Sequence, residues 1–187
     1  MPKLRSGQLL IAEPFMQDPN FKKSVVLLCQ YHPDEGAFGL ILNQPLPVKL
    51  KDILDLDDIP DAFRLFRGGP VDHHHLFFVH RAPHLIEGGL PIQDNLYLGG
   101  YFEKVRRLLL EGALTVRDIK FFVGYSGWGA GQLEQELSIN SWIIDSATEK
   151  DVFESRLSEE RYWRNVLRRK GKMFEYLATL PDSPIQN

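Results

Sequence analysis

The sequence is poor in cysteine. Among its 187 residues there is one cysteine, Cys29, which lies in the run VVLLCQY. A lone cysteine cannot form a disulfide within its own chain, and this fits a reducing compartment. No lysine, arginine or histidine flanks it to lower its pKa. We therefore interpret Cys29 as a small apolar residue packed in a buried strand rather than as a reactive thiol.

Long apolar segments are also missing. The longest uninterrupted apolar run, Val25 to Cys29, has five residues, far fewer than the roughly 20 that a membrane-spanning helix needs. The start, MPKLRSGQLLIAEPF, contains no extended apolar stretch before a small-residue cleavage site, so we expect no signal peptide. The net charge is −3, whereas a large nucleic-acid footprint usually makes a domain basic. We expect a cytoplasmic protein with no membrane partner.

The order of the apolar patterns predicts an α+β fold in one compact domain spanning residues 1–187. Two β-rich runs, residues 24–31 and 36–43, are separated by HPDEG, which predicts an antiparallel hairpin. Short apolar runs separated by hairpin-turn residues fill residues 63–100, where a parallel crossover has no room. We therefore expect an antiparallel or mixed, strand-rich first half that contains a meander.

Helical patterns lie mainly in the second half, apart from a short amphipathic candidate at 49–56. Apolar residues at helical spacing predict helices that begin near residues 101 and 158, and the second of these ends at Gly171. Thr148 and Asp151 form the sequence pattern of a capping box. A last helix within MFEYLATL is expected to stop at Pro181.

The densest glycine cluster is GYSGWGAGQLEQEL, residues 124–137. A nucleophile elbow, G-x-S-x-G, is disfavoured because its fifth position is Trp128. A dinucleotide fingerprint is disfavoured because the following helix would be only about 10 Å long and carries Glu134 and Glu136. No Lys-Ser or Lys-Thr follows the glycines, as a phosphate loop would require. We interpret the cluster as a structural corner between a strand at 119–123 and a short helix.

A shallow groove beside this corner is the alternative interpretation. It would bind a small molecule or a peptide through polar and aromatic side chains. The candidate groove residues are Asn43, Tyr125, Ser126, Trp128, Gln132 and Glu136. No set of residues stands out as catalytic, because no carboxylate pair or Cys/His/Asp arrangement recurs at a spacing suited to acid–base or covalent chemistry.

Four segments together resemble the YqgE/AlgH family of bacterial proteins over nearly the whole chain. They are LIAEPFMQDPNFKKSVVLLCQ, GAFGLILNQPL, GGPV with the following FFVH, and GYSGWGAGQLEQEL with Trp142. The resemblance implies an α+β fold and a cytoplasmic protein, and it supplies no catalytic residue and no cofactor. The family carries the label of transcriptional regulator.

Two further segments, one rich in histidine and one rich in arginine and lysine, are candidate binding sites. The run VDHHHLFFVH suggests a metal, but His74 and His80 would stand about 20 Å apart on one strand. His73 and His75 could share an ion, but no cysteine joins them to complete a zinc site, so we predict no metal site. Residues 156–172 contain seven cationic side chains and two carboxylates, which suggests a phosphate-facing patch. The following helix, KMFEYLATL, lacks the arginine, asparagine and glutamine that read bases, so sequence-specific DNA binding is disfavoured.

These observations favour a non-enzymatic regulatory or interaction protein with a protein partner. The alternative is a small-molecule-binding protein or an enzyme that uses the groove beside the corner.

Overall fold

The computed structural model describes residues 3–54, 57–154 and 156–180. Within these ranges the chain is α+β, as predicted, with its helices mostly in the second half. The strands are β1 Gln8–Ala12, β2 Val25–His32, β3 Gly36–Ile41, β4 Pro45–Lys49, β5 Arg64–Arg67, β6 Val71–His80, β7 Leu90–Gln93, β8 Leu96–Leu98, β9 Ile119–Trp128 and β10 Trp142–Ser146. The helices are α1 Leu50–Leu54, α2 Phe102–Leu110, α3 Gln132–Ser138, α4 Glu149–Phe153, α5 Glu159–Leu167 and α6 Lys172–Leu177, and a 3-10 turn, Arg168–Lys170, follows α5.

The described strands form one ten-stranded sheet around β9. Its main path runs β10-β1-β2-β3-β9-β6-β8-β7, and β5 and β4 branch from β9. The β2–β3 hairpin is antiparallel, as predicted. The pairing of β5 with β9 is parallel, so the sheet is mixed. The strands of the 63–100 stretch are not neighbours in sequence order, as a simple meander would require, because β9 pairs between β5 and β6 and β8 pairs between β6 and β7.

The two ends of the sheet approach each other. The side chain of Gln93, the last residue of β7, donates from Nε2 to the carbonyl oxygen of Ala147, just after β10, at 2.7 Å. Gly7 lies against the same glutamine, whose side chain would collide with any Cβ at that position. The sheet is therefore curled rather than open, and helices and loops pack on its faces.

Strand β1 shows why the sheet needs apolar residues at successive positions. All five of its residues are buried. Leu9 and Ile11 pack into the cluster that contains Trp163 of α5, whereas Leu10 and Ala12 pack into the cluster that contains Trp128 and Trp142. A strand covered on both faces reads as a continuous apolar run, and this pattern places β1 and β2 in the centre of the molecule.

The predicted helices form, and they bury the apolar residues that the helical spacing picks out. In α5 the buried residues are Tyr162, Trp163, Val166 and Leu167. In α2 the buried residues are Val105, Leu108 and Leu109. The capping box of α4 is formed by Thr148 and Asp151. Ser158 occupies the N-cap of α5, although its side chain makes no capping hydrogen bond.

Two boundaries differ from the sequence prediction. Strand β9 does not end at residue 123 but continues to Trp128, because its glycine-containing half pairs with β3. The bend therefore falls on residues 129–131. Helix α1 begins at Leu50, while Asp55 and Leu56 of the predicted helix, and the predicted stop at Pro181, lie outside the described residues.

Candidate functional site

The corner between β9 and α3 is built around one carboxylate. Glu136 accepts the indole N–H of Trp128 at 3.0 Å and that of Trp142 at 2.7 Å, both on Oε2. Its Oε1 accepts from Gln132 Nε2 at 3.0 Å. Gln132 in turn accepts the backbone N–H of Gly129 at 3.0 Å. These four bonds tie the end of β9, the helix α3 and the start of β10 together.

The backbone at the corner requires glycine at one position. Gly131 has a φ of 73° and is the N-cap of α3. This left-handed conformation is accessible to glycine at little cost, and it turns the chain directly into the helix. Leu133 on the first turn of α3 is 1% exposed, so the short helix is held by burial as well as by Glu136.

Phe21 brings the first loop of the chain to the same corner. Its ring centroid lies 6.1 Å from that of Trp128 and 5.4 Å from that of Trp142. The backbone N–H of Phe21 donates to the carbonyl oxygen of Asp18 at 3.0 Å, and Asp18 Oδ1 accepts from the N–H of Asn20 at 2.8 Å. The opening segment and the glycine cluster therefore form one packed unit.

Ser126 and Tyr125 point to opposite faces of β9. Ser126 is fully buried, and its hydroxyl donates to the carbonyl oxygen of Gly68 at 3.0 Å. Tyr125 stacks on Phe38 with ring centroids 4.9 Å apart. The hydroxyl of Ser126 is thus engaged with the backbone of the GGPV segment, and Tyr125 belongs to an aromatic cluster away from Trp128.

Asn43 joins three separate segments. Its Oδ1 accepts the N–H of Val25 at 2.9 Å, and its Nδ2 donates to the carbonyl oxygens of Lys23 and Glu159, each at 2.9 Å. The side chain fixes the start of β2 against the start of α5. Both ends of the amide are therefore bonded to backbone.

Of the six candidate groove residues, the structure brings Trp128, Gln132 and Glu136 together and places the other three elsewhere. A cleft of about 580 Å³ lies beside the corner, between the β2–β3 hairpin and β7. Trp128 lines it together with Tyr31 and Phe38. Tyr31 also donates its hydroxyl to Glu134, and this hydrogen bond raises the pKa of the phenol.

The histidine run lies on an exposed bulge of β6. Asp72 has a φ of 55°, and its carboxylate contacts Nδ1 of His75 at 2.7 Å. The described parts of the chain contain no group of three or more His, Cys, Asp or Glu side chains placed to hold a metal ion.

The basic segment 156–172 is largely paired within the chain. Arg169 binds the buried carboxylate of Asp151 through both terminal nitrogens. The other pairs are Arg164 with Glu160, Arg168 with Glu175, and Lys170 with Asp145. Four of the seven cations are therefore paired with carboxylates of the same chain, although Arg161, Arg164 and Arg168 also line one open cleft.

Lys120 is a buried cation that the sequence does not single out. Its Nζ donates to the carbonyl oxygens of Leu42 at 2.8 Å and Glu154 at 3.0 Å, and it lies 3.8 Å from the ring centroid of Phe66. Burial lowers the pKa of this amine to about 7. In the local sequence IKFFV, Lys120 occupies a position where alternation would place a solvent-facing side chain. It is buried because other segments cover both faces of the sheet.

An open apolar groove that shares no lining residue with the corner runs along β6. It has a volume of about 470 Å³ and is formed by α1, β6, β8, the glycines at 99 and 100, and the start of α2. Its lining side chains are Ile53, Leu54, Leu76, Phe77, Phe78, Leu98 and Phe102. Ile53 is 49% exposed, so apolar surface remains in contact with solvent. No local pattern predicts the groove, because its walls come from three separate segments, residues 53–54, 76–78 and 98–102.

The chain is thus an α+β protein that combines one curled, mixed sheet with a Trp–Glu–Trp unit where β9 meets α3. The chain belongs to the AlgH-like family, whose model, DUF179, matches residues 9–175. The resemblance seen in the sequence is therefore confirmed. No helix within the described residues is both long and apolar enough to cross a membrane.

Relatives share the full length of the chain. A UPF0301 protein of Cytophaga hutchinsonii is 40% identical over 185 residues, covering 98% of this chain and all of the relative. UPF0301 protein BF2109 of Bacteroides fragilis is also 40% identical, covering 97% of this chain and 90% of the relative.

Two solved structures resemble the chain. The solution structure of AlgH from Pseudomonas aeruginosa superposes with a TM-score of 0.72 at 28% identity and covers 98% of both chains. The crystal structure of DIP2367 from Corynebacterium diphtheriae gives a TM-score of 0.79 at 21% identity, over 95% of this chain and 93% of that one. The second likeness concerns the fold alone.

Proposed function

We propose that this protein is a non-enzymatic interaction protein that binds an amphipathic, basic helix of a partner in the apolar groove. The observation that carries the proposal is the groove itself, about 470 Å³ of apolar concavity with no charged lining residue. Contiguous apolar surface left open to solvent is typical of protein-binding sites. An amphipathic helix occupies such a groove through apolar side chains at positions i, i+3 or i+4, and i+7.

The charge of the neighbouring segment selects the partner. Residues 49–63, which include the α1 wall of the groove, contain five aspartates and two lysines. Both lysines, Lys49 and Lys51, pair with Asp61. Asp52, Asp57 and Asp58 are exposed, and this excess of carboxylates favours lysine or arginine beside the apolar anchors of the partner.

The buried ionisable groups support a binding role over a catalytic one. Asp151 is engaged by Arg169 and by the cap of α4. His80 contacts the carbonyl oxygen of Gly99 through Nε2 and accepts the N–H of Ala82 on Nδ1, and burial lowers its pKa. Each group serves the packing of neighbouring segments.

Regulation, the role given by the family label, would then act through a protein partner. Direct DNA binding is disfavoured because the basic segment spends most of its cations on internal ion pairs. A gel-shift titration with duplex DNA at two salt concentrations tests this point. A shifted DNA band at low salt that disappears steeply as salt is raised, as phosphate contacts require, would contradict it.

Binding of a model peptide tests the groove. The probe is a fluorescent leucine–lysine peptide of about 14 residues, roughly four helical turns with one apolar face. We expect it to bind the protein saturably, and Ile53→Arg to weaken binding at least tenfold. The matched control is Ile139→Arg, which alters an isoleucine on another surface that is 70% exposed.

Three results would contradict the proposal. They are unchanged binding by Ile53→Arg, an equal loss for Ile139→Arg, and equally tight binding of a leucine–glutamate peptide of the same pattern. The last result would show that the acidic segment makes no contribution to selecting the partner.

The alternative function is small-molecule binding beside the corner. The observation that favours it is the cleft of about 580 Å³ next to Trp128, within the size range of ligand pockets. Fragment screening by amide chemical shifts tests it: hits should cluster on Tyr31, Phe38 and Trp128. Hits scattered over the surface would contradict it.

A further inference from the structure

A second concavity differs in character from the apolar groove. It is a cleft of about 550 Å³ between α4 and the region where β6 ends and β9 begins. Four cationic side chains line it: Arg81, Arg117, Lys150 and Arg156. Two carboxylates also line it, so the charge of its wall is positive. Its apolar wall is formed by Val116 and Phe153.

The four cations are not equally engaged. Arg81 donates to Glu149 at 2.9 Å and lies 3.4 Å from Asp118, and its guanidinium stands 5.9 Å from the ring centroid of Phe153. It is therefore fixed by partners on both sides. Arg117, Lys150 and Arg156 are exposed, and no carboxylate within residues 3–54, 57–154 and 156–180 forms an ion pair with them.

Hydrogen bonds from the buried side chain of Lys120 hold the wall of the cleft at the end of α4. Glu154 lines the cleft, and its carbonyl oxygen accepts a hydrogen bond from Nζ of Lys120 at 3.0 Å. Lys120 is 4% exposed and also holds the carbonyl oxygen of Leu42. The end of α4, at Glu154, is thus tied through Lys120 to β9 and to the end of β3.

We propose that this cleft binds a small organic phosphate. The phosphate would be held by Arg117, Lys150 and Arg156, and the carbon part of the ligand would lie on Val116 and Phe153. Guanidinium groups match phosphate oxygens with paired N–H donors. Three cations that have no carboxylate partner among the described residues line one cleft and supply the charge that a doubly negative group needs. Because the cleft also has an apolar wall, we expect an organic phosphate to bind better than a bare ion.

The test uses phenyl phosphate and inorganic phosphate as probes, titrated by amide chemical shifts at one low ionic strength. We expect phenyl phosphate to bind several-fold more tightly than inorganic phosphate, with shifts at the cleft. Arg117→Ala/Arg156→Ala should weaken phenyl phosphate at least tenfold. The matched control, Arg106→Ala/Arg161→Ala, removes two exposed arginines outside the cleft and should change the affinity less than twofold.

Far-UV circular dichroism and the thermal midpoint establish that both double variants fold. Equal weakening by the two pairs would assign the binding to general surface charge and overturn the proposal. Unchanged affinity of Arg117→Ala/Arg156→Ala, or no binding by the wild type, would also overturn it. Equal affinity for phenyl phosphate and inorganic phosphate would show that the apolar wall does not contact the ligand, and this would contradict the proposal.

Discussion

The carboxylate of Glu136 accepts the indole N–H of Trp142 at 2.7 Å. Because the same oxygen also accepts the indole of Trp128, one side chain on a two-turn helix satisfies two buried donors from two strands. The arrangement explains Gly131, since the chain must turn sharply there for α3 to place Glu136 between the tryptophans.

Removing this carboxylate should destabilise the fold. Glu136→Ala leaves two indole donors without a partner, at a cost of about 2–3 kcal/mol in the free energy of unfolding. Gln135→Ala, one residue away on the exposed side of the same helix, should cost less than about 0.5 kcal/mol. Urea unfolding of the two variants measures the difference, and similar values would contradict the role of Glu136.

The GGPV segment should tolerate no side chain at its first glycine. A Cβ on Gly68 would lie 2.2 Å from the carbonyl oxygen of Gly124, so Gly68→Ala must push β9 away. We expect a loss of about 3 kcal/mol or more, because the clash is with backbone. Gly129→Ala is the control, since nothing lies within 4 Å of its Cβ position. A thermal midpoint of Gly68→Ala equal to that of the control would refute this account.

Two adjacent arginines should differ in their effect on stability. Arg169 pairs with Asp151, whose side chain is 4% exposed, whereas Arg168 pairs with Glu175, which is 50% exposed. Arg169→Met leaves a buried carboxylate unpaired and should cost about 2 kcal/mol, a value reduced because Arg169 itself is 41% exposed. Arg168→Met should cost less than about 0.5 kcal/mol. Chemical unfolding of both variants decides, and equal costs would mean that burial of Asp151 is unimportant.

The buried amine of Lys120 should make stability depend on pH. Its pKa is about 7 in the folded protein and 10.5 in the reference state, so the unfolded chain binds more protons between these values and stability rises with pH. We expect a gain of about 1.5 kcal/mol from about pH 7 to about pH 8.5. Lys120→Met should abolish this gain.

Lys150→Met is the matched control for that experiment, because Lys150 is exposed on α4 and its removal should leave the pH dependence intact. Urea unfolding at several pH values measures both variants. The same slope in wild type and Lys120→Met would show that Lys120 does not carry the effect.

Sequence patterns predicted the features that depend on neighbouring residues. The stripe of α5 around Trp163 and the capping box at Thr148 follow from helical periodicity and local hydrogen bonding, and both are confirmed. The extension of β9 to Trp128 was missed because pairing with β3 overrides the local preference of glycine for turns.

The candidate sites depend on distant segments, and for that reason the sequence did not predict them. Ile53 of α1 and Phe102 of α2 are far apart in the sequence, yet both line one groove together with residues of β6. Likewise, Arg81 and Arg156 share a cleft only through the packing of α4. Of the six predicted groove residues, three share the corner. Tyr125 instead stacks on Phe38, and Ser126 and Asn43 are bonded to the backbone of other segments.

The most direct test of the proposed function is a titration of the methyl-labelled protein with the leucine–lysine peptide, followed by methyl NMR. If the groove binds amphipathic basic helices, the methyl signals of Ile53, Leu76 and Leu98 should shift saturably with one common affinity, and that of Ile139 should stay in place. Shifts confined to Ile139 or spread over exposed methyl groups, with Ile53 and Leu98 unchanged, would contradict it.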